Sequence, residues 1–443
     1  MERTRRPPRF LVVGLLAGAA FFAGLSVDHV ASAARGRGEA YRPLDVFADV
    51  LGHVENSYVE EVAPRELVYG AIEGLVGRLD PHSTFLRPEA YRAMKEETSG
   101  EFDGLGIELT VQDGRITVVA PLADSPGERA GIRPGDQVAA IDGEPTRDMT
   151  LSEAVRRMKG APGTRVDLEI LREGFASPQK LSLVRDRIRM QSVDWRVLDA
   201  ERGYAYVRVK AFQERTERSL RRALDDARAA ARGELRGLVL DLRNNPGGLL
   251  EQAVRVSDAF LASGVIVTTE GRGKRNVEVE RAREKDTEPA YPLIVLVNRG
   301  TASASEIVAG ALQDHGRAVI LGTPTFGKGS VQTIIDLEDG SGLKLTVARY
   351  YTPRHRSIQE AGIAPDVVVA EVAPPARSEE GLPAERDLKR HLRGEAPAAT
   401  RQAPAGEDFQ LRTAVDYLKA VDILKASPPP PRGVAAQGRD QAR

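Results

Sequence analysis

The stretch Leu293–Asp314, LIVLVNRGTASASEIVAGALQD, decides how this chain is read. Leu293–Val297 is apolar throughout, which suits a strand covered on both faces. Asn298-Arg299-Gly300 breaks it, and a helix is expected from about Ala304 to Asp314. The same alternation runs to either side. Tyr204–Phe212 reads as a strand, Thr216–Arg232 as a charged helix, Gly237–Leu242 as a buried strand and Leu249–Ala262 as a helix. Ala318–Leu321 reads as a further buried strand. Val331–Leu337 and Leu343–Ala348 flank Asp339-Gly340-Ser341-Gly342 as a hairpin. Residues 190–370 therefore read as a layered α/β domain.

Residues 100–187 have a different texture. Short alternating runs, Ile107–Val111 and Ile116–Val119 among them, are separated by Asp113-Gly114, Arg133-Pro134-Gly135-Asp136 and Asp142-Gly143. One helix fits at Ser152–Lys159, with Ser152 as its N-cap. Val166–Leu171 and Lys180–Val184 complete a small β-rich domain. Residues 43–96 read helical, with apolar residues at helical spacing from Val46 to Leu79 and a stop at Asp80-Pro81-His82-Ser83. Residues 371–407 read as a linker and 408–426 as a helix with Leu411, Val415, Leu418 and Val421 on one face. Residues 427–443 read as a disordered tail.

At the N-terminus, Arg3, Arg5, Arg6 and Arg9 precede an uncharged run, Phe10–Val27, followed by Ala31-Ser32-Ala33. Residues 1–33 fit a cleaved export signal or an uncleaved anchor, and the 18-residue run leaves both open. Either places the rest of the chain across the inner membrane, in the periplasm or on its periplasmic face.

Composition removes several chemistries. The 443 residues contain no Cys, so disulfides, zinc-thiolate sites and a cysteine nucleophile are excluded. Lys+Arg is 63 and Asp+Glu is 64, so no global charge favours nucleic acid. The six His form no pair at metal spacing, and no metal or cofactor is expected. Gly322, Gly327 and Lys328 imitate a phosphate loop, but Gly329 stands where its hydroxyl residue belongs.

Two segments could carry catalysis. Thr301–Ile307 opens a helix directly after a buried strand, where unpaired backbone N–H groups could hold an oxyanion. The plain alternative is a Ser/Ala-rich N-cap. Thr325–Gln332 follows the next buried strand and holds Lys328 between glycines. A desolvated lysine amine could take the proton of a serine hydroxyl. The plain alternative is a solvated loop lysine.

Together these residues resemble the carboxyl-terminal processing peptidases, the tail-specific serine proteases. Gly300–Ile307 is similar to the family's G-[ST]-A-S-A-S-E-I pattern, and Thr325–Gln332 to its T-F-G-K-G-x-V-Q pattern. Lys328 lies 25 residues beyond Ser303, the family's spacing. Asp241–Gly248, Tyr351-Thr352-Pro353, Arg356–Gln359 and Gly362–Asp366 extend the likeness. The resemblance implies Ser303 as nucleophile, Lys328 as general base and Gln332 as the residue orienting the lysine. It implies an oxyanion hole from the Ala304 N–H and one from Gly247 or Gly248. Ser305 is a rival nucleophile that the spacing disfavours. Thr301 replaces a common serine, and His355 stands where glycine is usual.

The domain at 100–187 resembles a PDZ domain, with Leu105, Gly106 and Ile107 in its carboxylate-binding loop. The fold expected is multi-domain α/β: a crotonase-like catalytic core, an inserted β-rich PDZ domain, and helical N- and C-terminal segments. The expected partners are unfolded or C-terminally exposed proteins, with an adaptor protein and a homodimer through apolar helix faces as further expectations. A silent PDZ scaffold and an enzyme acting on acyl thioesters are the alternative functions.

Overall fold

The computed structural model describes residues 42–371 and 408–426. The N-terminal apolar run, nearly all of the 371–407 segment and the tail lie outside the described residues. The chain divides into two units, one ending at Arg87 and one beginning at Pro88.

In the first unit residues 42–57 and Pro64–Val76 are helical. Gly77 caps the second helix, so it ends short of Leu79. Asp80 then closes a turn, accepting from the backbone N–H of His82 at 2.8 Å and of Ser83 at 2.9 Å. Tyr69 and Phe85 pack with ring centroids 5.1 Å apart. The long helical reading of 43–96 thus breaks here, and a separate helix, Pro88–Ser99, begins the second unit.

The β-rich domain is entered and left through one antiparallel ladder, Glu101–Gly104 against Asp186–Arg189. Glu101 accepts from Arg189 at 3.3 Å and from Arg215 of the following domain at 2.9 Å. Inside, the strands run in the order Ile107–Gln112, Arg115–Pro121, Gln137–Ile141, Arg165–Leu171, Gln179–Val184. Alternate residues such as Val166, Leu168 and Ile170 fill its core with Ile116, Val118 and Ile141. The helix is Leu151–Met158, and its cap is Thr150 rather than Ser152. Thr150 Oγ1 accepts from the Glu153 N–H at 3.2 Å, so the capping pair lies two residues earlier than the sequence reading put it.

The core is a six-stranded sheet, ordered Val193–Asp199, Tyr204–Val209, Gly237–Asp241, Leu293–Val297, Val319–Gly322, Val367–Val368. The first pair is antiparallel and the rest are parallel. Alternate side chains face opposite layers. Leu238, Leu240, Val295 and Val297 pack beneath helices Thr216–Ala230, Leu250–Asp258 and Ala304–Asp314. Val239, Ile294, Leu296 and Leu321 instead meet Leu411, Ala414 and Leu418 of helix Phe409–Ala426. Each such buried side chain contributes about 1.5–3 kcal/mol. The apolar stripe of the last helix, read as a dimer surface, is therefore covered by the chain's own sheet. An antiparallel sheet adds Ser330–Asp336, Gly342–Tyr351, Val265–Gly271 and Glu278–Arg281, the last two unrecognised in the sequence.

Arg243 fastens the last helix. It donates to Asp241 Oδ2 at 2.6 Å, Asp408 Oδ2 at 2.6 Å and Gln410 Oε1 at 3.0 Å. Burial pushes the Asp408 carboxyl up, but the Arg243 hydrogen bonds, the Leu411 N–H and the charges of Arg243 and Arg196 together hold it below its ordinary value. That stabilisation is present above the ordinary aspartate range and is lost as pH falls through the lowered value. Arg243→Met should destabilise the chain by about 3–4 kcal/mol, because it leaves the buried Asp241 carboxylate, as well as the partly exposed Asp408, without its cation. Urea denaturation should show a gap between wild type and variant that narrows on acidification.

Candidate active site

Strand Leu293–Val297 ends at Asn298, whose buried amide shapes the next turn. Asn298 Oδ1 accepts from the N–H groups of Asn244 at 2.9 Å and Gly300 at 3.0 Å. The buried Thr301 hydroxyl donates to the Leu242 carbonyl at 2.8 Å. A serine in its place could make the same bond, so the departure at Thr301 preserves the staple. The turn delivers Ser303 as N-cap of helix Ala304–Asp314 with φ 56° and ψ −117°. For a non-glycine residue that backbone costs of order 1–3 kcal/mol and must be held by its surroundings.

Glu306 supplies much of that hold. It is fully buried at the third position of the helix. Its Oε2 accepts from the Ser303 N–H at 2.8 Å and the Lys328 N–H at 2.9 Å. Its Oε1 accepts from the Thr325 hydroxyl at 2.6 Å and the Gly327 N–H at 2.7 Å. One carboxyl thus fastens the serine turn to the lysine loop. Burial pushes it above the ordinary glutamate range, although all four bonds pull the other way. Sequence reasoning quoted Glu306 but gave it no role; Ser303-Ala304-Ser305-Glu306 has the capping-box spacing that could have marked it.

Tyr350 also escaped the sequence reading. Its buried hydroxyl donates to the Lys328 carbonyl and has the Ser303 side chain as a further partner. Burial, then the nearby Glu306, push its ionisation well above the ordinary tyrosine range. Gln332 is held by its amide nitrogen, which donates to Ser330 Oγ at 2.9 Å and Thr346 Oγ1 at 3.2 Å. Ser305 is fully buried and donates to the Asn245 carbonyl at 3.0 Å. The rival serine is therefore enclosed, whereas Ser303 is half-exposed.

The two glycines differ. The Gly247 N–H donates to Asn245 Oδ1 at 2.9 Å, whereas the Gly248 N–H has no partner among the described residues. A Cβ at Gly248 would meet the Phe212 carbonyl oxygen at 2.3 Å, so only glycine fits. The Ala304 N–H, at the start of the helix, is likewise unbonded among the described residues. Ser303, Lys328, Gln332, Ala304, Gly247 and Gly248 all line one cavity of about 310 Å³.

In the β-rich domain the Leu105 carbonyl accepts from Gly127 at 2.9 Å and the Gly106 carbonyl from Leu122 at 2.8 Å. The N–H groups of Leu105 and Gly106 have no partner among the described residues. Gly106 has φ 66°, and a Cβ there would meet Ser125 Cβ at 2.4 Å. Ile107 begins an outer strand of the sheet, beside helix Leu151–Met158. His355, where glycine is usual, keeps φ at 58° and stacks on Tyr351 with ring centroids 4.7 Å apart.

Glu306→Gln places an NH2 group against two N–H or O–H donors. At about 1–3 kcal/mol for each unsatisfied donor, it should destabilise the chain by about 3 kcal/mol. With its proton held more tightly when folded, Glu306 also makes stability fall as pH rises through the raised value. Denaturation at several pH values should show that slope diminished in the glutamine variant.

The profile of peptidase family S41 matches residues 203–369, and that of a PDZ domain matches residues 117–172. A carboxy-terminal-processing protease of Bartonella bacilliformis is 40% identical over 432 residues, covering 96% of this chain and 99% of the relative. A carboxyl-terminal-processing protease of Synechocystis is 41% identical over 324 residues, 70% of this chain and 75% of the relative. The carboxy-terminal processing protease CtpA of Bacillus subtilis is 38% identical over 315 residues, 71% of this chain and 66% of the relative. The likeness to the Bartonella protein spans nearly both chains, and the two profiles fall on the layered core and the β-rich domain just described. The chain accordingly belongs to the carboxy-terminal processing proteases of peptidase family S41, serine-type peptidases that here carry a PDZ domain.

Proposed function

We propose that the protein is an exported serine endopeptidase that captures the free C-terminus of protein substrates in its PDZ domain and cleaves them with a Ser303–Lys328 dyad. The observation that carries this reading is the single cavity shared by Ser303, Lys328 and two backbone N–H groups, of Ala304 and Gly248, that are unbonded among the described residues. Unpaired donors beside a strained serine suit a site that stabilises an oxyanion. We read the parallel-stranded core as crotonase-like on the same resemblance.

The chemistry follows from those groups. Neutral Lys328 takes the Ser303 proton as Oγ attacks the scissile carbonyl carbon. The carbonyl oxygen becomes an oxyanion, held by the N–H groups of Ala304 and Gly248. The Lys328 ammonium then protonates the departing amine, the C–N bond breaks and an ester to Ser303 remains. Water, deprotonated by Lys328, attacks that ester; the acid is released and the proton returns to Ser303. Gln332, fixed by Ser330 and Thr346, lines the same cavity as the lysine and fits an orienting role.

The N–H groups of Leu105 and Gly106, unbonded among the described residues, suit a terminal carboxylate, and the outer strand from Ile107 suits addition of the peptide behind it. Such capture favours unfolded or C-terminally exposed proteins, with or without an adaptor protein to deliver them. Arg3 to Arg9 and the apolar run after them support export to the periplasm or its membrane face.

An unfolded reporter with an apolar C-terminus tests the reading. Wild type should cut it, and more slowly when the reporter is amidated. Ser303→Ala and Lys328→Ala should each lose at least about 10³-fold in rate. A serine-reactive probe should label wild type and Ser305→Ala but not Ser303→Ala. Binding of the reporter without cutting or labelling by wild type would favour a silent scaffold instead.

A further inference from the structure

Lys344 stands out in the cavity that holds Ser303. It lies in strand Gly342–Tyr351, in register with Ile334 of the neighbouring strand, and its side chain lines that cavity. It is half-buried. Among the described residues it has neither an ion-pair partner nor a side-chain hydrogen bond. Lys95, by contrast, pairs with Asp336 at 2.7 Å. The lining of the cavity that Lys344 shares is mixed, with Met94, Phe212 and Ile307 apolar and Thr98, Gln213 and Lys328 polar. Glu97 lines the same cavity but is exposed and forms no ion pair with Lys344.

An ammonium partly withdrawn from water is unfavourable unless something compensates it. In a cavity built to receive a polypeptide, the absent compensation can come from the substrate. We propose that Lys344 is a specificity-determining residue that selects a carboxylate side chain, Glu or Asp, close to the scissile bond. This rests on the reading of Ser303 as the nucleophile. Partial withdrawal of Lys344 from water strengthens such a pair, and a basic side chain at that position is repelled.

The test uses the full-length protein and a set of peptides with an apolar, free C-terminus. Each carries Glu, Gln or Lys in turn at every position within three residues of the cut. Wild type should show, at one position, kcat/KM about tenfold higher for Glu than for Lys. Lys344→Glu should invert that ratio at the same position, Lys344→Met should bring it near one, and Lys344→Arg should keep it. Ratios taken within each enzyme cancel a general loss of activity, and the Met and Arg variants decide the matter if the Glu variant is inactive. A Glu/Lys ratio unchanged across the variants would overturn the role of Lys344 and leave the Ser303 reading standing. Failure of wild type to cut any peptide would overturn both.

Discussion

The geometry of the site depends on one buried carboxyl. Glu306 gathers four donors from two chain segments, the turn bearing Ser303 and the loop bearing Lys328. Neither segment is regular structure at that point, and Ser303 sits in a backbone region that non-glycine residues avoid. Without a shared acceptor, each would be free to relax independently. The carboxyl is costly to bury, and the surrounding donors are what make it tolerable. Placement of the serine and the lysine is thus a single constraint rather than two.

The sheet makes that constraint reachable. Leu293–Val297 and Val319–Gly322 are parallel neighbours, so the turns after them emerge at the same end. Ligand and catalytic groups in parallel sheets gather at the carboxyl ends of strands for this reason. The loop Asp241–Gly248 follows the next parallel neighbour, Gly237–Asp241, and brings its glycine backbone to the same end. Arg243 in that loop also grips the C-terminal helix, so one short segment serves both the site and the sheet's second cover.

Much of this was legible in the residues. Unbroken apolar runs marked the buried strands, because a strand covered on both faces has no polar period. The motifs around Ser303 and Lys328 could be placed after successive strands, and their spacing pointed to one family. Other features were hidden for physical reasons. Glu278–Arg281 is charged and exposed along its whole length, so its strand pattern is weak, whereas the β-branched run in Val265–Gly271 could have been read. Gly247 and Gly248 could not be told apart, because the difference lies in which N–H the Asn245 side chain takes. Tyr350 lies beyond the strand read at Leu343–Ala348, and only packing brings its hydroxyl to the Lys328 carbonyl. The helix Phe409–Ala426 showed its apolar stripe, but nothing in it said which surface the stripe would cover.

The ladder of Glu101–Gly104 against Asp186–Arg189 has a consequence for how the chain comes together. Both ends of the inserted domain leave through neighbouring strands. Once folded, that domain holds the two core segments side by side and turns a long excursion into a short loop. The entropy of closing a long loop is then met by the insert's own folding rather than by the core sheet. Strand Val193–Asp199 follows directly from this junction and pairs with the rest of the sheet. The insert is in this sense a clamp on the chain segments that flank it.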